Sequence, residues 1–177
     1  MSEEHKPYGS FGNGAAMRIS AVGVVGKTID EIKQLSSIVT NVSHNHPDSV
    51  CGAEATCVAI YLALKGKTKE EIKDYIEDNY FVIDDLKKNT MKIQYFHINC
   101  IETVKQALQA FLTSTDFEDA IRNAIALGGD SDTIGAITGS IAAAYYGVPD
   151  DMKKEALSYL DDDLISIYND FNKKYMI

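Results

Sequence analysis

Apolar residues recur at helical spacing along most of the chain. After Thr28, the residues Ile29, Ile32, Leu35, Ile38 and Val39 follow one another by three or four positions or adjoin, which lays them on one helix face. Three hydroxyl–acid pairs, Thr28 with Glu31, Thr68 with Glu71 and Thr115 with Glu118, each read as a capping box at a helix start. The stretch from Gly52 to Lys65 is apolar nearly all round, which predicts a buried central helix ended by Gly66. Ile72, Tyr75 and Ile76 continue the helix opened by Thr68. Val104, Ala107, Leu108, Phe111 and Leu112 mark another, and Phe117, Ile121, Ala124 and Ile125 one more, halted by Gly128-Gly129.

From Asp132 to Tyr146 the chain is rich in Gly, Ala and Ile. Small residues let helix backbones approach closely, so this segment predicts a second central helix, stopped by Gly147 and Pro149. Asp150 to Tyr175 reads as one or two amphipathic helices. Between Asn79 and Asn99 the periodicity fades and predicts no definite element. Nothing alternates as a strand would. The expectation is all-α, organised as one domain over 1–177.

Composition narrows the class. With 45% hydrophobic and 24% charged residues among 177, the chain has the makeup of a folded domain. Its formal charge of −9 disfavours duplex nucleic acid and anionic membrane surfaces as partners. Cys51, Cys57 and Cys100 are odd in number and sit among apolar residues, which fits a reducing, cytoplasmic setting rather than a disulfide scaffold. No run of about 18 apolar residues is present to span a membrane, and the first residues have no apolar signal core.

Three segments place polar groups and glycines where helices begin. Gly9 to Arg18, with Gly12, Asn13 and Gly14 at its centre, can expose consecutive amides to a phosphate, or serve as a structural turn with Arg18 in a salt bridge. Ser43-His44-Asn45-His46-Pro47-Asp48 offers two imidazoles to a metal, a ribose or a proton, or merely caps a helix. The H-x-H-x4-C-x5-C spacing matches none of the usual structural zinc patterns. Asp130, Ser131, Asp132 and Thr133 gather two carboxylates and a hydroxyl suited to a hard cation such as Mg²⁺, or to N-capping.

In this order, the stretches YGSFGNGAAMRISAVG, VSHNHPDSVCGAEATCVAIYLAL and ALGGDSDTIGAITGSIAAAYYGVP resemble the ADP-ribosylglycohydrolase family, which includes the dinitrogenase-reductase-activating glycohydrolases. The tail DDMKKEALSYLDDDLISIYNDF is similar to the closing helices of its smaller bacterial members. The resemblance implies a compact all-α fold with two Mg²⁺ ions, sometimes Mn²⁺, and hydrolysis of the bond between ADP-ribose and a protein side chain or other acceptor. It implies metal ligation by Asp130, Asp132 and Thr133. It sets Gly12, Asn13, Gly14, Ala15 and Met17 against the pyrophosphate and ribose, and His44 and His46 beside the ribose cleft.

The family pattern also begins with helices bearing a Gly-Asp segment and a T-D-D-T-type motif, which supply further metal ligands and a catalytic carboxylate. Neither motif occurs here, so the resemblance implies an N-terminally truncated domain whose catalytic residue is unassigned. Glu54 is the one internal carboxylate available as a stand-in. Three outcomes follow: a hydrolase completed by another chain, a second copy or the rest of a longer protein; a non-catalytic ADP-ribose-binding module; or a helical oligomerisation protein. Central helices without their usual cover expose apolar faces, which predicts a homo-oligomer.

Overall fold

The structure is a computed structural model that describes residues 8–83 and 99–175. Among them are ten helices and no strand, with one isolated antiparallel bridge between Gly12 and Asn99. The chain divides into two compact units, Met1–Tyr146 and Gly147–Ile177. The all-α expectation holds.

The first unit runs through α1 (Gly14–Met17), α2 (Ser20–Val25), α3 (Ile29–Thr40), α4 (Pro47–Leu64), α5 (Lys69–Asn79), α6 (Cys100–Thr113), α7 (Phe117–Ala126) and α8 (Ser131–Tyr146). Helix α4 packs against α1, α2, α3, α5, α6 and α8, while α8 packs against α1, α4, α6 and α7. These are the two central helices that the small-residue runs predict. Gly23 shows how close the approach is. A Cβ there would lie 2.7 Å from the Cys57 carbonyl oxygen and 2.8 Å from Ile60 Cβ. In the core Ile19, Ile60, Val58, Leu108 and Phe111 are all buried, each large side chain contributing about 1.5–3 kcal/mol.

Local capping decides the element ends. The box at Thr68 is complete: its hydroxyl accepts from the Glu71 amide, and Glu71 Oε2 accepts from the Thr68 amide at 2.8 Å. At Thr28 only half of it forms, because Glu31 Oε2 reaches past the cap to the Lys27 amide. The third box does not form. Asp116 is the cap of α7, accepting from the Asp119 amide at 2.8 Å, and Glu118 pairs with Arg122. Helix α4 begins five residues ahead of Gly52, at Pro47, whose fixed φ suits a first helical position. Gly66, Gly128 and Gly129 all take positive φ, at +72°, +70° and +67°, where the chain leaves α4 and α7.

The second unit holds α9 (Asp150–Leu157) and α10 (Asp162–Tyr175), neither with a buried residue. Asp161 caps α10 by accepting from the Leu164 amide at 2.9 Å, so the Asp161-Asp162-Asp163 run is a solvated helix start. Inside the unit, Lys153 lies over the Tyr168 ring and Phe171 stacks near Tyr175.

Candidate functional site

The glycine loop is held from two sides. Ser49 of α4 donates its hydroxyl to the Ser10 and Gly12 carbonyls, at 2.9 and 3.2 Å, and the Cys100 amide donates to the Phe11 carbonyl at 3.0 Å. The Gly12 amide turns inward to Ser10 Oγ. The chain then enters the single turn of α1, where the Gly14 and Ala15 amides occupy the first-turn positions that have no acceptor within a helix. Ala15 is fully buried, backbone included, whereas Met17 is half exposed.

Asn13 links this loop to the mouth of α8. Its Nδ2 donates to Asp130 Oδ2 at 2.5 Å and to Thr103 Oγ1 at 3.1 Å. Thr133, buried on the first turn of α8, turns its hydroxyl proton to the soft Met17 sulfur at 3.7 Å, leaving the oxygen lone pairs unspent. Asp132 is exposed and accepts from the Thr133 amide. Its carboxyl is held below the usual range, first by contact with the Asp130 carboxyl and then by that amide. Two carboxylates and a hydroxyl are hard oxygen donors that suit Mg²⁺ or Mn²⁺, and they furnish three of the about six oxygens such an ion takes.

His44 and His46 do different work. His44 packs on Gly14, where a Cβ would come within 3.1 Å of its Nε2. Burial first, and then the Arg18 charge, lower its basicity, which favours the neutral ring. Arg18 carries donors alone, so the His44 Nδ1 it faces at 3.4 Å is the acceptor and the proton sits on Nε2. Ser43 bridges the pair, accepting from Arg18 at 2.5 Å and meeting Nδ1 at 2.7 Å. Arg18 makes no ion pair among the described residues. His46 caps α4, its Nδ1 accepting from the Asp48 amide at 3.2 Å, and Phe11 meets its ring edge-on.

Glu54 lies apart from this cluster. Its Oε1 accepts from Tyr80 at 2.9 Å and pairs with Lys33 at 3.5 Å, so Tyr80 and Lys33 satisfy it rather than Arg18. Among the described residues no three His, Cys, Asp or Glu side chains converge as a metal cluster. The sequence reading passed over Asn99 and Thr103. Asn99 caps α6 with its Oδ1 and gives its Nδ2 to Asp48 Oδ2 at 3.0 Å.

The structure is thus an all-α scaffold in which a glycine loop is hydrogen-bonded to an acidic helix mouth. The ADP-ribosylglycohydrolase family model matches residues 1–175, and the chain belongs to that family. It is 24% identical to the human ADP-ribosylhydrolase ARH3, aligned over 93% of this chain and 60% of that protein. It is 29% identical to the ADP-ribosyl-[dinitrogen reductase] glycohydrolase of Rhodospirillum rubrum, over 88% of this chain and 53% of that one. A solved structure titled ADP-ribosylglycohydrolase-related protein complex shares the fold, with a TM-score of 0.68 at 24% identity, covering 82% of this chain and 54% of its own. The chain thus spans little more than half the length of these relatives. No helix among the described residues is long and apolar enough to cross a membrane.

Proposed function

We propose that the chain serves in the hydrolytic removal of ADP-ribose from a protein or other acceptor, with Mg²⁺, or Mn²⁺, as cofactor. In this reading Asp130, Asp132 and Thr133 hold the cation. Gly12, Asn13, Gly14, Ala15 and Met17 line the pyrophosphate and ribose, and His44 and His46 flank the ribose. The observation that carries it is the 2.5 Å contact between Asn13 and Asp130, which ties together two segments 117 residues apart that one ligand would have to touch. The names of the relatives, ADP-ribosylhydrolases and a glycohydrolase, support the same reaction class.

Asp130, Asp132 and Thr133 would hold the dication, which would supply Lewis-acid stabilisation of charge developing at the anomeric carbon and acidify a nearby water. The residues of the chain bind and orient. The Gly14 amide would meet an anion, Asn13 holds the Asp130 carboxylate by a hydrogen bond, and His44 packs on Gly14. A reducing, cytoplasmic setting fits the three free thiols.

A second reading, ADP-ribose binding without turnover by this chain alone, is favoured by the engagement of Glu54 with Tyr80 and Lys33, away from the cluster. Calorimetry decides between them. Hydrolysis requires Mg²⁺ binding that weakens at least about tenfold in Asp130→Ala and Asp132→Ala, together with release of ADP-ribose from a modified protein. Binding of ADP-ribose that survives both substitutions, without release, establishes the second reading. Failure to bind either ligand refutes both.

A further inference from the structure

Asn13 matters to the proposed site only if its amide nitrogen, rather than its oxygen, faces Asp130. Side-chain amides rotate by half a turn at little steric cost; an ionised Asp130 accepts only and favours the nitrogen, and a second fixed acceptor holds that polarity from the other side. Thr103, on the first turns of α6 and fully buried, is placed to do so. Its hydroxyl donates to the Asn99 carbonyl at 3.0 Å, one turn back. With its proton turned there, the oxygen meets Asn13 as an acceptor, at 3.1 Å. Asn13 must then present its NH₂ group, and the second proton of that group falls on Asp130.

The next link is fixed in the same way. Asn99 Oδ1 accepts from the Ile101 and Glu102 amides at the start of α6, which turns its Nδ2 to Asp48 Oδ2. The Asp48 amide in turn donates to His46 Nδ1. A run of hydrogen bonds of settled polarity thus leads from His46, through the N-terminus of α6, to Asp130. Its members come from the glycine loop, α4, α6 and the mouth of α8.

We infer that Thr103 is a positioning residue: it locks the Asn13 amide as a donor and thereby orients the Asp130 carboxylate toward a cation. The inference deepens the reading of Asp130 as a cation ligand and rests on it. The test uses the full chain, ¹H–¹⁵N spectra of side-chain amides, and Mg²⁺ titration in wild type, Thr103→Val and Thr103→Ser. In wild type both Asn13 amide protons exchange with water more slowly than those of exposed Asn169. Thr103→Val removes the acceptor at nearly constant volume. The Asn13 pair then shifts and exchanges faster, and Mg²⁺ affinity falls about tenfold. Thr103→Ser restores both. A purely structural role lowers the melting temperature without touching either readout.

An unchanged Asn13 pair in folded Thr103→Val, or no recovery in Thr103→Ser, overturns the inference. Should Thr103→Val not fold, a wild-type Asn13 proton exchanging as fast as those of Asn169 overturns it equally. If wild type binds no Mg²⁺, the reading of Asp130 falls, while the amide spectra alone still decide whether Thr103 sets the polarity.

Discussion

Lys69 offers a quantitative test of how the first unit is held. It sits on the first turn of α5, and its ammonium donates to the Leu112 carbonyl at 3.2 Å and to the Ser114 carbonyl, where α6 ends. The rings of Phe111, Tyr145 and Tyr146 surround it at 5.3, 5.9 and 5.2 Å. Lys69→Met keeps the chain length and the ring contacts but removes the charge and both hydrogen bonds. A charged hydrogen bond contributes about 1.5–3 kcal/mol and a partly exposed cation–π contact about 0.5–1 kcal/mol. Removing the ammonium's own desolvation cost offsets part of this, so the net loss is about 2–3 kcal/mol. For a chain of this size that lowers the melting temperature by about 4–10 °C. Urea denaturation followed by circular dichroism measures it, with Lys67→Met as control. Lys67 makes an exposed pair with Glu71, which solvent screens. A Lys69→Met loss no larger than the control refutes the reasoning.

Four further outcomes are expected. Gly23→Ala forces a methyl against the Cys57 carbonyl and costs about 1–3 kcal/mol despite better helix propensity. In Gly135→Ala the nearest atom is Ile125 Cδ1 at 3.8 Å, so stability rises by up to about 1 kcal/mol; the two urea midpoints should move in opposite directions. Burial pushes the Cys57 and Cys100 thiols up to about 12, so they stay protonated in the folded chain while the unfolded thiols ionise from about 9. Stability is therefore full below pH 9 and falls toward pH 12, by at most about 1.4 kcal/mol per pH unit per thiol, and replacing both with alanine flattens the decline in urea midpoint. The homo-oligomer expectation can be tested at Ile38 on α3 and Val42 just beyond it, both about two-thirds exposed. Light scattering should give a mass above 19.5 kDa that Ile38→Asp lowers, and a monodisperse 19.5 kDa species contradicts this.

Much of the fold can be read from periodicity because α4 and α8 advertise themselves. Helix α4 is buried nearly all round from Gly52 to Ala63 and must be apolar and small on every side, whereas α8 buries one face through Ile134, Ile137, Thr138 and Ile141. Caps were less legible. Thr115-Asp116 puts two competent caps side by side, and only the backbone turn selects Asp116. For the candidate site, the glycines and paired aspartates carry local signatures, whereas Thr103 carries none. A threonine on an apolar helix face looks like any other threonine until its partner, 90 residues earlier in the chain, is brought beside it. Glu54 shows the converse. Its position on α4 suggested chemistry, yet Lys33 and Tyr80 on neighbouring helices consume it.

The joining of Asn13 to Asp130 also sets an order of events during synthesis. The glycine loop leaves the ribosome 117 residues ahead of its partner, so the Asn13–Asp130 contact forms only once the mouth of α8 has been made. Such long loop closures carry a chain-entropy cost that only late, cooperative packing recovers. A small molecule touching both ends would act as a clasp on the whole first unit. It would slow global unfolding and protect amides in α4 and α6 far from its own contacts.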